Sequence, residues 1–335
     1  MQLPTPDQQE CLDVLSLLVQ VKSYSQTSGE IDATNHMAEV MRRAGLEKSG
    51  CAAYFCAVNT LRKAGWRPKG DVVLTYVVGE LQGGVGTVAL IEQGLCKADY
   101  FVNCEPSDLK AITMHAESLV FRIELTGVTR HMSKREDATD AIMATTDLVP
   151  RLNSLVFDNA SSPDVAACNR CSVGVVRAGL GREMADWRPP QVADFAVIRG
   201  SARFGPGQTH ADVRSALEAA CEETKSRYPE LQYAVHFENA VTMPAFQVEK
   251  DAYIVKRLND AYEAVRPGVT QPTGALAPQC FYGSDAGHLY KTLGMQGVVC
   301  GPGGKYNTMP DERVEVSDYM DCIKMFIRLI VDVCA

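Results

Sequence analysis

The feature that most constrains the fold of this 335-residue chain is the short space between two predicted helices near residue 46. An amphipathic stretch from Ser28 to Leu46 predicts the opening helix of an α/β enzyme, and Lys48 to Gly65 predicts a second helix. A parallel sheet needs a strand between consecutive helices, and almost no residues remain for one. The helices are joined by a tight turn or have lost a block of sheet, and the rest of the chain favours the loss.

Composition and charge narrow the class of protein. The net charge of −8, without a basic block, argues against a nucleic-acid partner. The apolar runs are too short and interrupted to span a bilayer, so we expect no membrane partner. The first residues lack a signal-peptide pattern, and the twelve cysteines are scattered, which predicts reduced thiols and a cytoplasmic protein. The close pair Cys168 and Cys171 lacks the second pair that a zinc site would need.

The outer parts of the chain alternate strand and helix, which favours one doubly wound or mixed sheet. The run from Asp71 to Gly79 is apolar and β-branched, as in a strand buried on both faces. The other predicted elements are a helix that follows Gly83 to Thr87 and ends near Gly94, a strand at Tyr100–Cys104, a helix at Ser284–Leu293, a strand at Gln296–Cys300 and a helix at Val316–Val333.

The middle of the chain predicts a separate small domain. Its elements are strands at Ser118–Thr126, Ser172–Arg177, Phe195–Phe204 and Gln232–Glu238, with helices at Asp137–Leu155 and Ala211–Tyr228. The order β-α-β-β-α-β is that of an α+β ferredoxin-like domain. We therefore predict an inserted domain at residues 116–239, and an outer α/β domain built from residues 1–115 and 240–335.

Two glutamates follow predicted strands, and in an α/β fold the carboxyl ends of strands often carry ligand-binding or catalytic residues. Glu80 comes after the strand that ends at Gly79, and Glu105 comes after the next strand, beside Pro106. Two carboxylates at adjacent strand ends can share a divalent metal or divide acid and base roles. On position alone, each is equally well read as a solvated carboxylate at a strand end.

Three further positions follow or begin predicted elements. His131 follows a strand in the insert and is, taken alone, more typical of a surface or capping histidine. Arg203 ends a strand, where a guanidinium can grip a carboxylate, although an exposed ion-pairing arginine fits the spacing as well. Ser284 and Asp285 are first interpreted as a helix cap.

Taken together, the ordered motifs point to one family. They are Lys48-Ser49-Gly50, Gly83-Gly84-x-Gly86-Thr87, Glu105-Pro106-Ser107, Gly127 to His131, Ser284-Asp285, and Gly301-Pro302-Gly303 to Pro310-Asp311-Glu312. The chain resembles the dinuclear-zinc amidohydrolases that include acetylornithine deacetylase, succinyl-diaminopimelate desuccinylase, aminoacylase and the glutamate-type carboxypeptidases. The resemblance implies a zinc-peptidase-like α/β domain, here with strands missing, interrupted by a dimerisation domain.

The resemblance also implies a function and roles for residues. The function is metal-dependent hydrolysis of C–N bonds in N-acyl amino acids or short peptides by a homodimer. Glu80 matches the general base and Glu105 a zinc ligand, while His131 would stabilise the oxyanion across the dimer. The residues implied in substrate binding are Arg203, as a carboxylate anchor, with Ser284, Asp285 and Gly303.

The chain departs from the family at the other metal-ligand positions. It has no His-x-Asp strand motif, and Leu46, Leu81 and Thr308 occupy positions where the family has ligands. Losses at separate places indicate decay or repurposing of the metal site, so a catalytically inactive, dimeric ligand- or partner-binding relative is the alternative. A defective product that folds poorly is a third reading. The groups that could replace the lost ligands are Asp285, His288 and Cys300.

Overall fold

A computed structural model describes residues 2–19, 52–185, 188–238, 242–307 and 309–335. The predicted helix from Ser28 to Leu46, the Lys48-Ser49-Gly50 motif and Thr308 therefore lie outside the described residues. The chain divides into two compact units. The first comprises residues 1–114, 246–279 and 284–335, and the second comprises residues 115–245 and 280–283.

The first unit combines helices with a small mixed sheet. Its helices are α1 (Gln8–Val19), α2 (Ala52–Lys63), α3 (Val85–Glu92), α7 (Tyr253–Val265), α8 (Ala286–Leu293) and α9 (Val316–Cys334). Its strands are β1 (Tyr100–Asn103), β2 (Ala111–Ile112), β9 (Thr273–Gly274) and β10 (Gln296–Val299). The strand order is β1-β10-β2-β9, with β1 parallel to β10 and β10 antiparallel to β2.

The core of the first unit forms where α9 packs against α2 and α7. Phe326 of α9 stacks on Tyr54 of α2 with ring centroids 4.6 Å apart. The Tyr54 hydroxyl donates a 2.6 Å hydrogen bond to the Val102 carbonyl of β1. This bond satisfies a backbone acceptor of a strand that lies at one end of the four-stranded sheet.

The predicted strand from Asp71 to Gly79 is wrong. Residues 71–79 contain no assigned strand, although exposed and half-buried side chains alternate from Asp71 to Tyr76 as in an extended chain. A strand exists only when its backbone pairs with a neighbour, and this segment pairs with no described strand. The apolar, β-branched residues therefore form an extended segment that is not part of a sheet.

The second unit has the predicted order β-α-β-β-α-β. Its main elements are β4 (Glu117–Thr126), α4 (Ala141–Asn153), β5 (Arg170–Gly179), β6 (Phe195–Phe204), α6 (His210–Lys225) and β7 (Gln232–Phe237). The short helix α5 (Pro163–Ala167) also belongs to this unit, and the remaining short strands of the chain are β3 (Met114–His115) and β8 (Phe246–Gln247). The four long strands pair antiparallel in the order β5-β6-β4-β7.

Strict alternation of side chains builds the core of this unit. Along β4, every second residue from Glu117 to Leu125 is buried, and Phe121, Ile123 and Leu125 are fully covered. Helix α6 begins with a capping box, in which the Thr209 side chain accepts from the Asp212 backbone and Asp212 accepts from the Thr209 backbone. The predicted mixed α/β fold class is confirmed. No helix among the described ranges is long and apolar enough to cross a membrane.

Candidate active site

Glu80 lies in a tight glycine-bounded turn. It begins a single 3₁₀ turn, Glu80–Gln82, and the residues on either side, Gly79 and Gly83, have φ values of 80° and 92°. Only glycine adopts this left-handed conformation without steric cost, which explains the glycines that the sequence places around Glu80. The turn ends the extended segment and leads directly into α3.

Gly84 brings this turn against the start of α8. It is the N-cap of α3, with a φ of 76°. A Cβ at this position would lie 2.7 Å from Asp285 Oδ1 and 2.8 Å from His288 Nε2. His288 Nε2 lies 2.8 Å from the Gly83 carbonyl, and since a carbonyl only accepts, this nitrogen carries the hydrogen. The two segments therefore fit together only because residue 84 lacks a side chain.

Asp285 is the N-cap residue of α8, in agreement with the interpretation as a helix cap, but its side chain makes no capping hydrogen bond. The carboxyl instead interacts with Thr87 of α3, and Ser284 beside it is also buried. Burial raises the pKa of Asp285, whereas the Thr87 hydrogen bond and the charge of His288 oppose that rise.

Glu105, which follows β1, has a strongly perturbed pKa. Burial, and then the negative charges of Glu80 and Asp285, raise its pKa to about 8, while a hydrogen bond with Asn103 opposes the rise. The electrostatic coupling shows that the fold brings Glu80, Glu105 and Asp285 close together. All three line one cavity of about 390 Å³ in the first unit.

The other predicted site residues lie elsewhere. Gly303 has a φ of 72° in the loop after β10. His131, in the second unit, is exposed and caps a 3₁₀ helix at Met132–Asp137 by accepting from the Ser133 amide. That placement agrees with the capping interpretation of His131.

Arg203 ends β6, where its Nη1 lies 3.7 Å from the position that a Cβ on Gly283 would take. Its neighbour His115 was missed by sequence reasoning. Burial lowers the pKa of His115 to about 4, and the charge of Arg203 lowers it further. His115 is therefore neutral at physiological pH, so Arg203 carries the positive charge at this place.

Comparison with known protein families identifies the family of this chain. Peptidase family M20/M25/M40 matches residues 43–332, most of the chain, including both segments that carry the carboxylates. The chain belongs to this family. The resemblance drawn from the sequence motifs is thereby confirmed.

Individual relatives are distant. The chain is similar to an acetylornithine deacetylase of Myxococcus xanthus, with 22% identity over 280 residues, 79% of this chain and 66% of that relative. It thus spans slightly less than two thirds of that protein. In fold it resembles the aminopeptidase PepT of Bacillus cereus, with a TM-score of 0.65, 19% identity and coverage of 85% and 70% of the two chains.

Another M20 structure is the YXEP protein of Bacillus subtilis, a dinuclear metal-binding peptidase. Its TM-score is 0.57 at 17% identity, with coverage of 84% of this chain and 70% of that one. A similar metal centre needs several convergent donors. Among the described residues, no group of three or more His, Cys, Asp and Glu side chains is placed to hold a metal ion.

His288 and Cys300, which the sequence suggested as replacements for missing metal ligands, are not available to bind a metal ion. The Nε2 atom of His288 is occupied as a donor to the Gly83 carbonyl. Cys300 is fully buried, and burial raises its thiol pKa to about 12, so it is protonated at neutral pH. Leu81, which the family resemblance implied to replace a ligand, is 79% exposed. The described residues therefore do not fit a dinuclear metal centre.

Proposed function

We propose that this M20-family protein recognises peptides or N-acyl amino acids, the amide substrates of C–N hydrolases, without hydrolysing them by the metal-dependent route. The observation that carries the proposal is the crowding of Glu80, Glu105 and Asp285 with no described group of donors placed around a metal.

The chemistry of hydrolysis explains why the reaction needs more than these acids. A catalytic zinc takes three protein ligands and a water, and lowers the pKa of that water to about 7. Without such a cation, Glu80 would have to activate ordinary water, whose pKa is about 15.7. Amide hydrolysis by that route is too slow to be a function.

Substrate recognition requires fewer groups. In this proposal Arg203 grips a substrate carboxylate, because a guanidinium binds carboxylates in a bidentate manner and His115 beside it is neutral. The family resemblance also implies roles for His131 in the second unit and, in substrate binding, for Ser284, Asp285 and Gly303 in the first unit. The protein acts as a cytoplasmic homodimer joined through its second unit.

A second candidate function is hydrolysis of the same substrates. A specific observation favours it: Glu80 and Glu105, which match the base and a zinc ligand of the family, face one cavity and are electrostatically coupled. Under this alternative Glu105 would be one ligand of a bound zinc ion. Zinc would supply the activated water, and the second unit would still carry Arg203.

Elemental analysis of freshly purified, chelator-free protein separates the two functions. We expect a folded dimer without stoichiometric metal, binding of peptides or N-acyl amino acids in a calorimetric screen, and no turnover. Arg203→Lys should weaken the binding of ligands that carry a carboxylate, whereas Arg177→Lys, at an exposed position of β5, should leave that binding unchanged. About two zinc ions per chain with turnover would establish the hydrolase instead. A metal-free protein that binds neither ligand class would contradict the proposed recognition.

A further inference from the structure

The cavity of the first unit is bordered by two extended stretches of backbone. Its lining includes residues 71–77 and all of β1, and its volume is about 390 Å³. Val73, Thr75 and Ala98 of this lining are exposed, so the cavity reaches the surface. An extended residue occupies about 160 Å³, because strands rise about 3.3 Å per residue, lie about 4.8 Å apart and pack in sheets about 10 Å apart. The cavity therefore has room for about two or three residues of a further strand.

The first border, β1, directs main-chain groups away from its partner strand. β1 is the end strand in the order β1-β10-β2-β9. Alternate residues of a strand turn their N–H and C=O groups to opposite sides, and the Asn103 carbonyl accepts a 2.9 Å hydrogen bond from the Cys300 amide, directly after β10. Tyr100 and Val102 therefore turn their main-chain groups away from β10. The Val102 carbonyl accepts from the Tyr54 hydroxyl, and a carbonyl oxygen has two lone pairs.

The second border, segment 71–77, is extended but belongs to no sheet. The main chain of residues 72–75 makes no backbone hydrogen bond with any residue that the structure describes. A strand edge with open donors and acceptors is a template for pairing with another chain. Here two such edges line one cavity, and a single added strand could pair with both.

The cavity is apolar on both faces of the sheet. Successive residues of β1 pack against different clusters, Val102 against the core around α9 and Phe101 within a second cluster, so the two clusters lie on opposite faces. Phe326 and Leu329 line the cavity from the first cluster, and Met295 lines it from the second. A strand that is covered on both faces carries apolar residues without polar alternation. The segment that fits is therefore rich in Val, Ile or Leu.

We propose that an apolar peptide segment binds in this cavity as an added strand, with its main chain paired to β1 and to segment 71–77. The inference rests on the proposed function, which takes peptides as ligands. It goes beyond that function in specifying main-chain pairing, about two or three enclosed residues and apolar side chains.

A peptide main chain suits the two borders better than other ligands. It repeats a donor and an acceptor at every residue and turns them alternately to both sides, as a strand between two neighbours does. A small apolar molecule would fill the space but would leave the N–H and C=O groups of both borders without partners, which is costly once water is displaced. An N-acyl amino acid has one amide bond, which is too few to pair with both borders.

Calorimetric titration of the full-length, chelator-treated protein with two capped peptides tests the pairing. The probes are acetyl-Val-Ile-Val-amide and the same peptide with N-methyl groups on its three residues. They share side chains and differ in main-chain N–H donors, and neither carries a carboxylate for Arg203 to bind. We expect the unmethylated peptide to bind at least about tenfold more tightly, as expected from about two main-chain hydrogen bonds. Equal affinities, or no binding of the unmethylated peptide, would overturn the inference.

Hydrogen exchange and a pair of variants test the location. The unmethylated peptide should slow amide exchange in residues 72–77 and leave β6 of the second unit unchanged. Ala98 is exposed and lines the cavity, whereas Lys97 beside it is exposed and does not. Ala98→Phe should reduce peptide binding at least about tenfold by filling the entrance, and Lys97→Phe should leave it unchanged. Unchanged exchange in residues 72–77, or equal effects of the two Phe variants, would refute this site.

Ligands that carry a carboxylate separate this failure from that of the proposed function. If the capped peptide does not bind while peptides with a free carboxylate bind in a manner that depends on Arg203, the added strand is refuted and the proposed recognition stands. If neither kind of ligand binds to the metal-free protein, both proposals are refuted.

Discussion

Glu105 shows how the fold changes the chemistry of a single residue. The raised pKa, about 8, comes first from burial and then from the charges of Glu80 and Asp285. An acid with a raised folded pKa keeps its proton in the folded state at pH values where the unfolded chain has lost it. The contribution of Glu105 to the free energy of unfolding therefore falls as the pH rises from about 4.5 to about 8.

Glu105→Gln should remove most of this pH dependence. The amide is neutral at every pH, so the chelator-treated variant should lose less stability than the wild type between about pH 5 and pH 8. Chemical denaturation at several pH values measures the difference. The exposed control Glu263→Gln should keep the wild-type slope. An equally steep fall in Glu105→Gln would show that Glu105 does not cause it.

Leu81 and Thr308 provide the residue-scale test of the metal site. Replacing Leu81→Glu together with Thr308→His should fold, because Leu81 is 79% exposed, but should not produce zinc-dependent hydrolysis. The family positions for the His-x-Asp ligands would still be unfilled. Zinc titration with a deacylase assay measures the outcome. Zinc-dependent turnover in this double variant would show that the chain supplies the remaining ligands.

At the scale of elements, the two ends of α3 allow a matched comparison of glycines. Gly84 before the helix and Gly94 after it both have positive φ, 76° and 69°. Alanine at either position incurs the backbone cost of a left-handed conformation, about 1 kcal/mol. A Cβ at Gly84 would also collide with Asp285 and His288, whereas nothing lies within 4 Å of one at Gly94.

Gly84→Ala should therefore destabilise the protein by about 2–4 kcal/mol and Gly94→Ala by about 1 kcal/mol. Urea denaturation measures the free energy of unfolding of each variant, and the two values can be compared directly if the m-values are the same. Equal losses would mean that α8 moves away to accept the new methyl group, and that the close approach at Gly84 does not position Asp285.

Elements whose side chains alternate were predicted well, and the unpaired apolar segment was not. The predicted strand Phe195–Phe204 matches β6 residue for residue, and Ser118–Thr126 is one residue shorter than β4. Both lie between neighbouring strands, so local pattern and tertiary pairing agree. Residues 71–79 have equally strong strand composition, but pairing depends on a partner that local composition cannot supply.

At the scale of the whole molecule, the predicted homodimer requires a self-complementary surface. The candidate in the second unit is β5, which lies at one edge of the sheet order β5-β6-β4-β7. Val175 and Val176 on this edge strand are 42% and 46% exposed. An exposed apolar edge strand is a template for pairing with another chain.

Val176→Lys should convert the dimer to a monomer, because a charge at the edge opposes burial of the strand. Light scattering coupled to size-exclusion chromatography measures the mass. Val156→Lys, at a still more exposed valine of the same unit, should remain dimeric. A dimeric Val176→Lys protein would place the interface elsewhere, and a monomeric wild type would refute the dimer itself.

The sequence by itself determined the family and the mixed α/β class, because these depend on local motifs and on alternation along each strand. Tertiary structure alone decided that Asp285 joins the two glutamates, that His288 is occupied by the Gly83 carbonyl, and that His115 lies beside Arg203. These relations join residues far apart in the chain. Their energies depend on burial and on neighbouring charges, which no local pattern encodes.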